Sequence, residues 1–156
     1  MGKDSMEFSH QFSSLTPHAA PMGSGSRIAE GRSPMLELSN AMVRLYKEVF
    51  GRGPTKARAN FAGPDTLIIV LEDSMTVAER NLASLGEHQR LRDARLFFQY
   101  AVEHEFRATV ERILHRRTVA FVSGIDTRED VAVEVFTLEP EPAAEQRERA
   151  SVSNGN

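Results

Sequence analysis

Between Arg44 and Arg58 the chain sets Arg44, Lys47, Arg52, Lys56 and Arg58 against a single acid, Glu48. Inside that stretch runs Gly51-Arg52-Gly53-Pro54-Thr55-Lys56. Glycines let a backbone come close to a ligand, and guanidinium, ammonium and hydroxyl groups bind phosphate or carboxylate. Arg52, Thr55, Lys56 and Arg58 are therefore the candidate anion- or partner-binding residues. The loop is not a P-loop, because the G-x-x-x-x-G-K spacing is absent and the order is helix then strand. A plainer account carries more weight: these cations complement a helix C-terminus beside a solvated strand face.

Other reactive side chains do not assemble into a motif. Glu103-His104-Glu105, with His88 and His115, invites a metal reading. Helical ligands belong at i and i+4, as in H-E-x-x-H, and these histidines do not fall at that spacing. Asp126, Glu129 and Asp130 read as turn-forming acids. Ser123-Gly124 lacks the G-x-S-x-G context of a nucleophile elbow. The chain has no cysteine, which removes disulfides, thiolate metal sites and cysteine nucleophiles together. No catalytic residue, metal or cofactor is expected, and the chain is not expected to be an enzyme. A net charge of −3 argues against nucleic acid as a partner, and only Tyr46, Phe50 and Phe61 lie near the basic stretch as stacking aromatics.

The elements that position these residues follow from hydrophobic period. Ser33-Pro34 is a helix start, and Met35, Leu38, Met42, Leu45 and Val49 make one stripe that Gly51 ends. Lys56 to Phe61 alternates as a half-buried strand, Gly63-Pro64-Asp65 turns, and Thr66 to Glu72 reads as a central strand. Thr76-Val77-Ala78-Glu79 is a capping box opening a short helix to about Leu85. A long helix is expected from Glu87 to His115. Its apolar face runs Leu91, Ala94, Phe98, Ala101, Val102, Phe106, Val110 and Ile113, widened by Phe97 and Leu114. Strands over Thr118–Ser123 and Asp130–Leu138 follow, joined by a turn over 124–129, with Val131, Val133 and Val135 on one face of the last. The other face, Ala132, Phe136 and Leu138, is partly apolar and interrupted by Glu134.

The expected fold class is α+β in the order α-β-β-α-α-β-β, a four-stranded, mainly antiparallel sheet with helices packed on one face. Residues 33–139 form the single domain, between disordered tails at 1–32 and 140–156. The longest apolar run, Leu67 to Leu71, is far short of the ~20 residues that span a bilayer. No secretory leader opens the chain, so a cytoplasmic location is expected.

Three separated blocks resemble the MpsC-like family. They are Leu45 to Ala57; Leu67-Ile68-Ile69-Val70-Leu71-Glu72 with Met75 to Arg80; and Val110 to Leu114 with Arg117 to Asp126 and Asp130 to Glu139. The family is named for a sodium-translocating system that generates membrane potential, whose membrane subunits are also linked to inorganic-carbon uptake. The resemblance implies a soluble accessory or regulatory binding protein beside a membrane transporter subunit, and it brings no catalytic residues with it. Surplus apolar surface on the helices adds the expectation of a homodimer. A stand-alone small-molecule or anion sensor using the Arg52–Arg58 loop is the alternative.

Overall fold

The computed structural model describes residues 33–141. The tails expected at 1–32 and from 142 onward lie outside the described residues. The elements run α1 (Pro34–Phe50), β1 (Lys56–Phe61), β2 (Thr66–Glu72), α2 (Val77–Ser84), α3 (His88–Ala101), α4 (Glu103–Leu114), β3 (Thr118–Asp126) and β4 (Val131–Leu138). Two hairpins, β1–β2 and β3–β4, lie side by side in one antiparallel sheet of order β1-β2-β4-β3. The fold is the expected α+β, with one more helix than the sequence reading gave.

That extra helix comes from a break at Val102 (φ −113°, ψ 23°), which divides the expected helix of 87–115. α3 turns the row Leu91, Arg95, Gln99 inward, whereas α4 turns in Phe106 and Val110. The two inward rows keep one helical phase across the break, Gln99 to Phe106 being about two turns, and Glu103 and Glu105 sit in the first turn of α4, where its N–H dipole favours acids. The expected apolar face is corrected with it. Ala94, Phe98 and Ala101 are exposed, and Phe97 with them.

Helix ends follow the local chemistry. Gly51 closes α1 in the left-handed region (φ 76°), its N–H donating to Lys47 O. Ser33 stands at the α1 N-cap, but its hydroxyl makes no cap bond; its carbonyl accepts from Leu36 and Glu37 N–H instead. The Thr76/Glu79 capping box is formed in full. β3 runs past the expected turn through Gly124, Ile125 and Asp126, because Ile125 is a core residue and pairs with Ala132.

The core lies between the helices and one sheet face. β2 contributes Leu67, Ile69 and Leu71; β4 contributes Ala132, Phe136 and Leu138; β3 contributes Phe121 and Ile125. Leu38, Met42, Leu45 and Tyr46 of α1, with Phe106 and Val110 of α4, close it from the other side. Glu134, read from the sequence as an interruption, is fully buried in the middle of this face. The valines at 131, 133 and 135 share the opposite face, which no described helix covers.

Candidate functional site

The glycines of the basic loop have reasons inside the fold. Gly51 needs its positive φ. A Cβ on Gly53 would stand 2.8 Å from Val43 O on α1, so the close approach this glycine permits is to the protein's own helix. Pro54 is buried, and Thr55 N–H donates to Glu72 O at 3.0 Å, which joins the loop to the end of β2.

The four candidate residues divide into two groups. Arg52 Nη2 lies 2.9 Å from Asp73 Oδ1, and Thr55 also donates to the Asp73 carboxylate. Lys56 and Arg58 stand on the helix-free face of the sheet and both reach Glu72, at 3.4 and 2.6 Å. Each cation thus has an acid on the neighbouring strand or the turn that follows it. Arg52 Nε is the exception, being buried without an acceptor.

Asp73 joins Arg52 to a larger charged cluster that the sequence reading missed. Asp73 adopts φ 57°, and Arg80 Nη1 approaches its Oδ1 at 2.8 Å. The hydrogen bond from Arg80 is the main cause holding the Asp73 carboxyl below the ordinary range. Asp130 reads from the sequence as a turn-forming acid at the start of the last strand; it lies just before β4. Its carboxylate in fact reaches across to the β2–α2 turn, accepting from Ser74 N at 3.0 Å and Met75 N at 3.0 Å, with Arg80 at 3.7 Å. Asp126, in contrast, serves its turn as expected, accepting from Arg128 and Glu129 N–H. An open cleft of about 590 Å³ lies here, lined by Asp73, Arg80, His88, Thr127, Arg128 and Asp130 among others. His88 Nδ1 lies 3.0 Å from Thr127 Oγ1.

Arg95 is 1% exposed. It grips Glu79 with two bonds, Nε to Oε1 at 2.6 Å and Nη2 to Oε2 at 2.7 Å. It also donates to Ser74 O and Oγ, and its guanidinium stands 4.1 Å over the Phe50 ring. Burial pushes the Glu79 carboxyl up, but Arg95 and the Thr76 bonds outweigh it and the net shift is downward. Arg95 appears in the sequence as one more arginine on a helix; only its place in the row Leu91, Arg95, Gln99 marks it as inward-facing.

One helical turn further, Gln99 joins a second buried group. Tyr46 donates its hydroxyl to Glu134 Oε1, and Gln99 Nε2 donates to Tyr46 Oη at 2.8 Å and to Glu134 Oε1 at 2.9 Å. Among the described residues Gln99 Oε1 is buried with no hydrogen-bond partner, and Glu134 Oε2 and Ser123 Oγ are buried with no partner within ordinary hydrogen-bond geometry. Burial pushes the Glu134 carboxyl up to about 8 and the Tyr46 phenol well above its usual range. Glu134 is therefore protonated through most of the neutral range. Ser123, its cross-strand partner, carries a hydroxyl that can donate to this carboxyl, and that contact, like the ones from Tyr46 and Gln99, opposes the effect of burial. Chemically, this group can hold and release one proton inside the core.

Outside, α2 and α3 carry exposed apolar side chains. Phe97 is 70% and Phe98 51% exposed, with their rings in contact at 5.8 Å. Val77 and Leu82 are exposed on α2, and Leu85 at its C-cap. Among the described residues no helix is long and apolar enough to cross a membrane. These features define a small open-sheet α+β domain with a buried acid and apolar surface on two helices. Residues 34–140 match the family described as the Na+-translocating membrane potential-generating system (MpsC), and the chain belongs to that family. No curated protein and no solved structure matches the chain.

Proposed function

We propose that this chain is an accessory or regulatory protein of a membrane Na+-translocating system, acting from the cytoplasm as a homodimer through protein contacts and without a cofactor. The family assignment supplies the system. The observation that carries a contact role is the exposed aromatic pair Phe97–Phe98. Singly exposed apolar residues are ordinary, but two adjacent aromatic rings in solvent are the composition of an interface core. The test is affinity capture of the tagged full chain from native membranes, compared with Phe97→Ser. Recovery of a membrane subunit of the transport system by the parent and its loss in the variant support the reading. Equal recovery by both, or recovery of no membrane subunit, overturns it.

A stand-alone anion sensor on Arg52, Thr55, Lys56 and Arg58 has one observation in its favour, the unpaired Arg52 Nε. Against it stand the acids already paired with each of the three cations. Thermal shift with phosphate, bicarbonate and nucleotides separates the two readings. A saturable rise in Tm that Arg52→Gln abolishes favours the sensor.

A further inference from the structure

The sheet face turned away from the helices is laid out in rows by the strand register. Across β1, β2, β4 and β3 the first row is Lys56, Glu72, Val131, Asp126 and the second Arg58, Val70, Val133, Gly124. The third row is Asn60, Ile68, Val135, Val122. The centre is aliphatic, the β1 edge is basic and the β3 edge carries Asp126. An antiparallel sheet with a solvated face ordinarily alternates apolar-in, polar-out. Here the middle of β2 and β4 carries Ile68, Val70, Val131, Val133 and Val135 outward as well as apolar residues inward, the pattern of strands covered on both sides. Val122, on the outer strand β3, is 57% exposed.

We propose that two copies of the chain pack sheet on sheet through this face, about a two-fold axis parallel to the strands. This rests on the homodimer reading above and names the surface that makes it. Charge chooses the occupant and the axis. A rotation about that axis sets the β1 edge of one copy over the β3 edge of the other, so that Lys56 and Arg58 face the partner's Asp126 side. The two-fold running across the strands sets basic edge over basic edge instead. Gly124, in the row of Arg58, leaves open space above β3: a Cβ built there meets nothing within 4 Å. The long Arg58 side chain of the second copy therefore has room. Four strands about 4.8 Å apart and about four outward rows present roughly 500 Å² of flat face. Two such faces reach the low end of the range for specific interfaces, so the dimer is expected to depend on concentration.

Two measurements on the full chain test this. Sedimentation across a concentration series is run on the parent, Val133→Glu and Val122→Glu. The second variant guards against a folding failure of the first, because Val122 is already more than half exposed. In addition, an Asn60→Cys, Val122→Cys double variant, which keeps Lys56, Arg58 and Asp126 and joins β1 to the partner's β3 along the third row, is treated with a short bis-maleimide; the chain has no other cysteine. A concentration-dependent dimer, a dissociation constant raised about tenfold or more by either glutamate, and a cross-linked dimer from the double variant support the proposal. A dimer that keeps its affinity in both glutamate variants, or that gives no cross-link, overturns this face and leaves the homodimer reading standing. A monomer at every concentration overturns both.

Discussion

Tyr46 on α1 donates its hydroxyl to the carboxyl of Glu134, 88 residues further along the chain and fully buried in the middle of the sheet. The contact ties the first helix to the last strand across the core, while burial of the carboxyl, against the opposing pull of this hydrogen bond, fixes the sign of a pH dependence. Burial raises the Glu134 pKa to about 8 in the folded chain. The native state therefore binds this proton more tightly than the unfolded chain does. The resulting stabilisation is complete below the unfolded value of about 4.3. It is lost as pH rises from there through about 8, and then levels off. Asp73, Glu79, Glu111 and Asp126, all held low, act with the opposite sign, but only at acid pH. Between pH about 5 and 8.5 the slope belongs to Glu134. Glu134→Gln keeps the shape, still accepts from Tyr46, and offers an N–H toward Ser123. Urea unfolding of the variant should lose most of the downward slope and exceed the parent above pH 8, by on the order of a few kcal/mol. Parallel pH profiles in parent and variant would show that Glu134 does not hold the proton.

Arg95 presents the reverse case, a buried charge that is fully partnered. Its bonds to Glu79 and Ser74 and its place over Phe50 hold the β2–α2 turn to α3. Truncation leaves the Glu79 carboxylate without its guanidinium and the Ser74 carbonyl with one donor fewer. Arg95→Ala should lower the unfolding free energy by about 3–5 kcal/mol. Arg95→Lys, which cannot reproduce the two-pronged grip, should recover only part of that. A loss below about 1 kcal/mol for the alanine variant would mean that the turn holds without this arginine.

Both buried polar groups show why the fold was more legible than the site. Hydrophobic period located every strand to within a few residues, because alternation and turn chemistry are local properties. The helix row Leu91, Arg95, Gln99 was not legible, because two of its three members are polar and the apolar stripe through Ala94, Phe98 and Ala101 is the better periodic match. That stripe faces solvent, so period alone chose the wrong side of α3. Glu134 looked like a break in an apolar strand face. Its partners Tyr46 and Gln99 lie 88 and 35 residues away, and no local pattern connects them. The basic loop was legible as a cluster but not as a set of ion pairs, since its acids, Glu72 and Asp73, are brought alongside only by the β1–β2 register.

The two loop glycines should differ in their response to alanine. At Gly51 the obstacle is conformational: φ is 76°, nothing lies within 4 Å of a Cβ, and Gly51→Ala should cost about 1 kcal/mol. At Gly53 it is steric: the Cβ would press on the backbone carbonyl of Val43 at 2.8 Å and on the Val43 side chain at 3.2 Å. Neither backbone can move without shifting α1 against β1, so Gly53→Ala should be the costlier of the two, by about 1–3 kcal/mol more. Thermal unfolding of both single variants tests the order. Equal costs would mean that the loop relaxes away from α1.

Phe97 and Phe98 separate a contact surface from a structural one. Among the described residues Phe97 touches only Phe98 of the aromatic rings, whereas Phe98 also meets the Phe50 ring at 6.5 Å, and Phe50 lies under Arg95. Phe97→Ser should therefore leave stability within about 0.5 kcal/mol of the parent. Phe98→Ser should cost more, because the aromatic pair with Phe50 is lost; such pairs contribute about 0.5–1.5 kcal/mol beyond their burial. If the exposed rings are retained for a partner, both variants should be captured with native membranes less well than the parent, and the loss for Phe97→Ser should be far larger than its effect on stability. Capture that follows stability across the parent and the two variants would instead make the rings part of the domain's own packing, and the contact surface would have to be sought elsewhere.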